Sequence, residues 1–151
     1  MKGKDLNWFV LILLGSFIIG FIIYDADYDN YSDIITFLSI MIGFKIASLS
    51  ILFNSPLKKK LYDRKILKYM TELHRLRDYY RHSLLFEVFS IVALFTLPKR
   101  LFSFILFENE IVMGKHLFVL PIILGTVFCF YKITDDLLKI FVYPTNIKNE
   151  E

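Results

Sequence analysis

Four long apolar segments, about residues 8–24, 34–53, 84–107 and 117–143, constrain this chain more than anything else in it. Each is close to the roughly 17 to 25 residues that an α-helix needs to cross a bilayer. Hydrophobic residues make up 56% of the chain and the mean hydropathy is +0.52, above the roughly 45–50% apolar content of an ordinary soluble domain. The expected fold class is therefore all-α: an integral membrane protein with four transmembrane helices, forming a single domain over residues 1–151. That length leaves no room for a separate soluble enzyme domain beside the spans. The first segment has the charged start of a signal peptide, MKGK, but its apolar run is long and lacks a small-residue cleavage signature, so it reads as a retained span. The single cysteine, Cys129, lies inside the fourth run and supports neither a disulfide framework nor a cysteine metal site.

The net charge of +3 conceals a strong asymmetry. Between the first two runs, DADYDNYSD carries Asp25, Asp27, Asp29 and Asp33 and no basic residue. Residues 54–83, between the second and third, carry nine Lys and Arg residues against three acids, an excess of six positive charges. Basic residues near span ends resist translocation, which places this segment and both termini in the cytoplasm and the acidic loop outside. Tyr24, Tyr28 and Tyr31 then fit an outer aromatic belt, and Trp8 and Phe9 an inner one.

Two runs are irregular. Pro98, Lys99 and Arg100 interrupt the third, and a proline removes a helical hydrogen bond and ends or kinks the helix. Either LFSFILF forms an interfacial or re-entrant piece, or the span is kinked and its two cations snorkel to the outer headgroups. The fourth run carries Lys132, Asp135, Asp136 and Lys139, whose spacing predicts helical ion pairs 132/136 and 135/139. The 54–83 segment opens on Ser55 and Pro56, a capping residue followed by a first-turn proline. From there Tyr62, Ile66, Tyr69, Leu73, Leu76 and Tyr80 alternate spacings of four and three, a coiled-coil-type seam. An unbroken helix over 56–83 would run about 40 Å and carry the third span away from the second. A cytoplasmic helical hairpin turning near Thr71 avoids this and is the expected arrangement, with an in-plane amphipathic helix and exchange between subunits as the alternative.

Enzymatic motifs are not found. The aspartates of the acidic loop match positions 1, 3, 5 and 9 of a calcium loop, but Asn30 stands where glycine is needed and Thr36 where the bidentate glutamate is needed. His74 and Asp78 in HRLRD are one residue too close for the histidine–aspartate motif of membrane acyltransferases, and there is no phosphate loop, nucleophile elbow or metal-ligand cluster. No enzymatic activity, cofactor or metal is expected.

Three other features suggest what the protein does. Ser39, Gly43, Ala47 and Ser50 form a small-residue stripe on one face of the second span, suited to close helix packing either within a protomer or between subunits. Lys45 lies off that stripe, deep in an apolar run, and Glu87 lies about one turn inside the third span. Charged groups at such depth normally face a partner, a cavity or an interface. A Lys45–Glu87 pair across the bundle is the expected arrangement, with Lys45 lining a water-filled passage or snorkelling inward as the alternatives. Finally, Lys68, Arg75, Arg77 and Arg81, interleaved with Tyr79 and Tyr80, suit an acidic ligand: cations for phosphates, rings for stacking. Anionic lipid and a partner helix are the competing readings of the same surface.

The layout of an acidic outer loop, the basic segment LKKKLYDRKILKYMTELHRLRDYYRH and a fourth span ending in charged residues resembles small four-span membrane proteins of bacterial anti-phage systems. These include the membrane partner of the Rex exclusion pair, the Hailong effector and the Kiwa membrane subunit. The resemblance covers the whole chain and is one of layout. It implies a homo-oligomer, often a tetramer, in the bacterial inner membrane, which depolarises that membrane or senses infection under control of a cytoplasmic protein or a nucleotide or oligonucleotide signal. No duplex nucleic acid is expected as a partner. The resulting expectation is a self-associating effector forming a regulated ion-conducting pore, with a non-conducting scaffold or sensor that docks a soluble partner as the alternative and a phage holin as a third option.

Overall fold

The computed structural model describes residues 4–23, 28–63, 71–106 and 109–142. The chain is mostly helical. Helix α1 (Lys4–Ile23) is apolar almost throughout, and α2 (Tyr31–Asn54) begins after the acidic loop. Pro56 ends α2, because the residue before a proline is pushed out of the helical region. Ser55 accordingly sits in extended backbone at φ −92° and ψ 154°. A short helix α3 (Leu57–Asp63) follows.

Helix α4 (Glu72–Thr96) starts at an extended Thr71, whose hydroxyl accepts a hydrogen bond from the His74 amide at 3.3 Å. Such a cap satisfies one of the free amides at a helix start. The chain thus breaks at the position where the hairpin turn was expected. Leu61 of α3 packs with Leu76 and Tyr80 of α4 in one apolar cluster. Of the expected seam, Leu73, Leu76 and Tyr80 join this cluster, Tyr62 is exposed, and Ile66 and Tyr69 lie outside the described residues.

The third apolar run departs from the all-helical expectation of a span over 84–107. Pro98 forces Leu97 into extended backbone and α4 stops at Thr96. Residues beyond it form strand β1 (Arg100–Leu106), which pairs antiparallel with β2 (Asn109–Gly114), Ser103 opposite Val112. The helix is thus short and LFSFILF forms a separate piece, a strand, rather than continuing a kinked span. A 3-10 turn (Lys115–Phe118) then leads into α5 (Val119–Val142).

Among the described residues, three stretches are long and apolar enough to cross a membrane: Lys4–Ile22, Tyr31–Asn54 and Lys115–Lys139. Helix α4 is not among them, because its first half, ELHRLRDYYRHS, is polar and its apolar part ends at Pro98. Within the bundle α1 lies along α5, while α2, α4 and α5 pack on one another. Two glycines set the closeness of that packing. A Cβ on Gly20 of α1 would stand 3.3 Å from the Leu117 carbonyl oxygen, and one on Gly125 of α5 would stand 2.7 Å from Phe86 Cζ.

Candidate functional site

The buried positions of the three central helices share one spacing. On α4 they include Leu76, Tyr80, Ser83, Glu87, Ser90 and Leu94, and on α5 Val119, Ile122, Thr126, Cys129 and Ile133. Alternating steps of three and four keep side chains on one helix face, as in a coiled-coil seam. Helix α2 contributes Ile34, Leu38, Lys45 and Leu52 at steps of four and seven. The seam read from the basic segment therefore continues through the whole of α4, but with polar residues in its middle. Each helix reads apolar, polar, apolar. Tyr31, Ile34, Leu38, Leu94, Val119 and Ile122 form a cluster at one end, and Leu52, Leu61, Leu76, Tyr79, Tyr80 and Ile133 form one at the other.

The polar layer between these clusters holds Lys45 and Glu87 together. Lys45 is 1% exposed and Glu87 0%. The Lys45 ammonium donates to the Glu87 Oε1 carboxylate oxygen and to Ser83 Oγ at 2.6 Å. Ser83 was not singled out from the sequence, although it sits one helical turn before Glu87 on the same face. One turn away on α2, the Ser48 and Tyr80 hydroxyls share a hydrogen bond of 2.8 Å. Cys129, from α5, is buried in the bundle, as is Thr126. In a medium without water an ion pair is favourable only when its geometry is good and further hydrogen bonds satisfy it. Ser83 supplies one. Lys45 is consumed inside the protomer and reaches neither an interface nor the surface by snorkelling.

A second set of charges ties the ends of α1, α4 and α5 together. Tyr79 donates to Asp5, Lys132 Nζ lies 2.9 Å from Asp5 Oδ1, and Arg75 Nη2 lies 3.0 Å from Asp136 Oδ1. The intrahelical pair expected between Lys132 and Asp136 is replaced, because each finds a partner on another helix. The neighbouring pair, Lys139 with Asp135, does form along α5.

These contacts divide the residues expected to bind an acidic ligand. Tyr79 and Tyr80 are only 6% and 1% exposed, so their rings are core side chains and offer no face for stacking. Arg75 is committed to Asp136. Arg77 and Arg81 remain on the surface, and Lys68 lies outside the described residues. The small-residue stripe has the opposite fate from the central seam. Ser39, Gly43, Ala47 and Ser50 are all exposed, and a Cβ on Gly43 would meet nothing within 4 Å. Packing within the protomer does not use it; in α1, by contrast, Ser16 and Gly20 are buried.

At the far end, Tyr31 is a core residue rather than a belt residue: it is buried against Tyr28, and Lys115 Nζ lies 4.1 Å above its ring. Asp29 pairs with Lys99 at 2.6 Å, and the hydrogen bond from that ammonium holds the carboxyl below its ordinary range. The contact is therefore present at neutral pH and is lost as the pH falls through the lowered value. Asp25 and Asp27 lie outside the described residues, and no group of three or more metal-ligating side chains assembles among those described. Comparison with protein-family models, curated proteins and solved structures finds no match for this chain.

Proposed function

We propose that the protein is a self-associating membrane effector, with α4 as a fourth, partly polar span, whose subunits meet through the α2 stripe and whose regulated conductance runs between subunits. The observation that carries this reading is the outward-facing row Ser39, Gly43, Ala47 and Ser50, since small residues let helices approach closely where lipid supplies no hydrophobic drive. The filled protomer interior, with Lys45 neutralised by Glu87 between two apolar clusters, argues for a path along the subunit boundary rather than through a protomer. The anti-phage setting, the tetrameric count and nucleotide control rest on the layout resemblance alone. Exposed Arg77 and Arg81 favour the second reading, a non-conducting scaffold or sensor docking a soluble partner at its basic end.

Induced expression with a membrane-potential dye separates the two. Depolarisation is expected for the wild type and should vanish in Gly43→Leu, which also gives a smaller particle in detergent. Gly43 has open space around it, so the substitution should leave protomer stability unchanged. Silence from well-expressed wild type would favour the scaffold, and unchanged particle size would remove the stripe from the interface.

The charge bias supports a cytoplasmic basic segment and cytoplasmic termini, and the bacterial inner membrane is taken from the layout resemblance. Impermeant thiol reagent added to intact cells should label Tyr28→Cys and spare Lys59→Cys. Labelling at position 59 would reverse the orientation.

A further inference from the structure

The two arginines that remain on the surface stand over a groove that neither the stripe nor the charged core uses. It lies between α2 and α4 at their basic end, has a volume of about 360 Å³, and is walled by Leu49, Tyr80, Leu84, Leu85 and Val88 with Arg77 and Arg81. Positions 77, 81, 84 and 88 fall on one face of α4, at steps of four, three and four. Descending that face, the surface changes from two guanidinium groups one turn apart to aliphatic side chains. Arg81 and Val88 are separated by about 10 Å of helical rise, the scale on which a lipid passes from headgroup to acyl chain.

We infer that this groove binds one anionic glycerophospholipid, its phosphate held by Arg77 and Arg81 and an acyl chain laid along Leu49, Leu84, Leu85 and Val88. The inference rests on reading the chain as a membrane protein but does not depend on conductance or on subunit number. Charge complementarity selects the ligand's head. Arg81 makes no ion pair among the described residues. Arg77 is 62% exposed and has only a loose contact of 3.9 Å with its neighbour Asp78. Arg75, on another face of the same helix, is by contrast spent on Asp136. Guanidinium groups are the side chains best shaped for bidentate phosphate contact.

The groove's walls select the tail. A nucleotide would need an aromatic face for its base and polar groups for its sugar. Tyr80 is buried in the core with its hydroxyl engaged by Ser48, and the remaining wall is aliphatic. A free phosphate would leave that wall exposed.

The test is lipid retention. Protein reconstituted into vesicles of equal phosphatidylcholine and phosphatidylglycerol is extracted in mild detergent, and bound lipid is read by native mass spectrometry. Wild type should retain phosphatidylglycerol over phosphatidylcholine. Arg77→Gln/Arg81→Gln should lower that preference by about thirtyfold, from roughly fivefold for each basic residue near an anionic surface. Val88→Trp, which obstructs the acyl end and spares both arginines, should lower it as well. Lys58→Gln/Lys59→Gln removes the same charge from exposed positions outside the groove and should leave retention nearly unchanged. Equal loss in the arginine and lysine doubles would overturn the site in favour of diffuse attraction. Displacement of the lipid by millimolar inorganic phosphate would identify a phosphate site instead. Retention unaffected by Val88→Trp would remove the acyl chain from the groove. Thermal unfolding in pure phosphatidylcholine, unchanged across the variants, shows that the loss is not one of folding. Depolarisation in the dye assay is independent of all these outcomes.

Discussion

Lys45→Met is expected to destabilise the bundle by about 3–5 kcal/mol, the cost of leaving one member of a buried ion pair without the other. The Glu87 carboxylate is wholly enclosed, and Lys45 is its only ion-pair partner among the described residues. Glu87→Met should cost somewhat less, since the ammonium it leaves still donates to Ser83 at 2.6 Å. The informative comparison is with the double variant Lys45→Met/Glu87→Met. Replacing a buried pair by apolar groups of similar volume is often neutral or stabilising, so the double should be far more stable than Lys45→Met. Titration with a denaturing detergent, read by helical circular dichroism, gives the three differences needed for a double-mutant cycle. Strictly additive effects would refute an energetic pair. If Lys45→Met instead changed ion selectivity in the dye assay at full stability, the lysine would belong to a conducting path.

The second large effect is expected at Gly125. Even the first carbon of a side chain there would stand 2.7 Å from Phe86 Cζ and 3.1 Å from Leu13 Cδ2, so two neighbouring helices, α4 and α1, resist it at once. The Phe86 ring packs edge-on against Phe9 with centroids 5.4 Å apart, so yielding to the new side chain would disturb that contact. Overpacking a filled core costs about 1–3 kcal/mol and occasionally more. Gly125→Leu should therefore lower the folded fraction sharply, and Phe86→Ala in the same chain should restore part of it by making room. Gly43→Leu, on an open face, serves as the control that folds normally. Equal tolerance of leucine at both glycines would mean that α1, α4 and α5 are not closely apposed at this level of the bundle.

The contrast between these two glycines shows what the sequence could and could not disclose. Long apolar runs announce a helix, and the first, second and fourth emerge within a few residues of their expected bounds. Which face of a helix is inward requires knowing its neighbours. Gly20 and Gly43 look alike in sequence, yet one is pressed against the Leu117 carbonyl and the other faces open space. Lys45 and Glu87 were legible as a pair because charge in an apolar run demands a partner. Ser83, Thr126 and Cys129 were not, since small polar residues are tolerated in spans without one. The signal that finds them is the three–four seam, which runs from Leu73 to Leu94 on α4 and from Val119 to Ile133 on α5 if polar residues are allowed to occupy it. The strand pair escaped for a related reason. LFSFILF sits at the end of a long apolar run and reads as part of it, whereas Pro98 before it, aromatic and branched residues within it and the Glu-Asn pair after it mark a short strand. The surface arginines on either side of α4 could not be told apart by composition: Asp136, far away in the sequence, claims Arg75 and leaves Arg77 and Arg81 at the surface.

The pairing of α1 with α5 has a consequence for how the chain is made. Helix α1 finds its neighbours in the 3-10 turn and α5, which lie nearly a whole chain length away. Its Gly20 faces Leu117, and Asp5 is held by Lys132. During synthesis α1 therefore enters the membrane well before the surface it packs on exists, while α2 and α4, closer in sequence, can zip together around Lys45 and Glu87. In that interval only lipid or the insertion machinery can cover its Gly20 face, and the arrival of α5 closes the bundle in a single late step. A ribosome stalled before residue 115 would leave a half-built protein with its charged core already paired and its first helix held only by the contacts of Asp5 with Tyr79 and of Phe9 with Phe86 on α4.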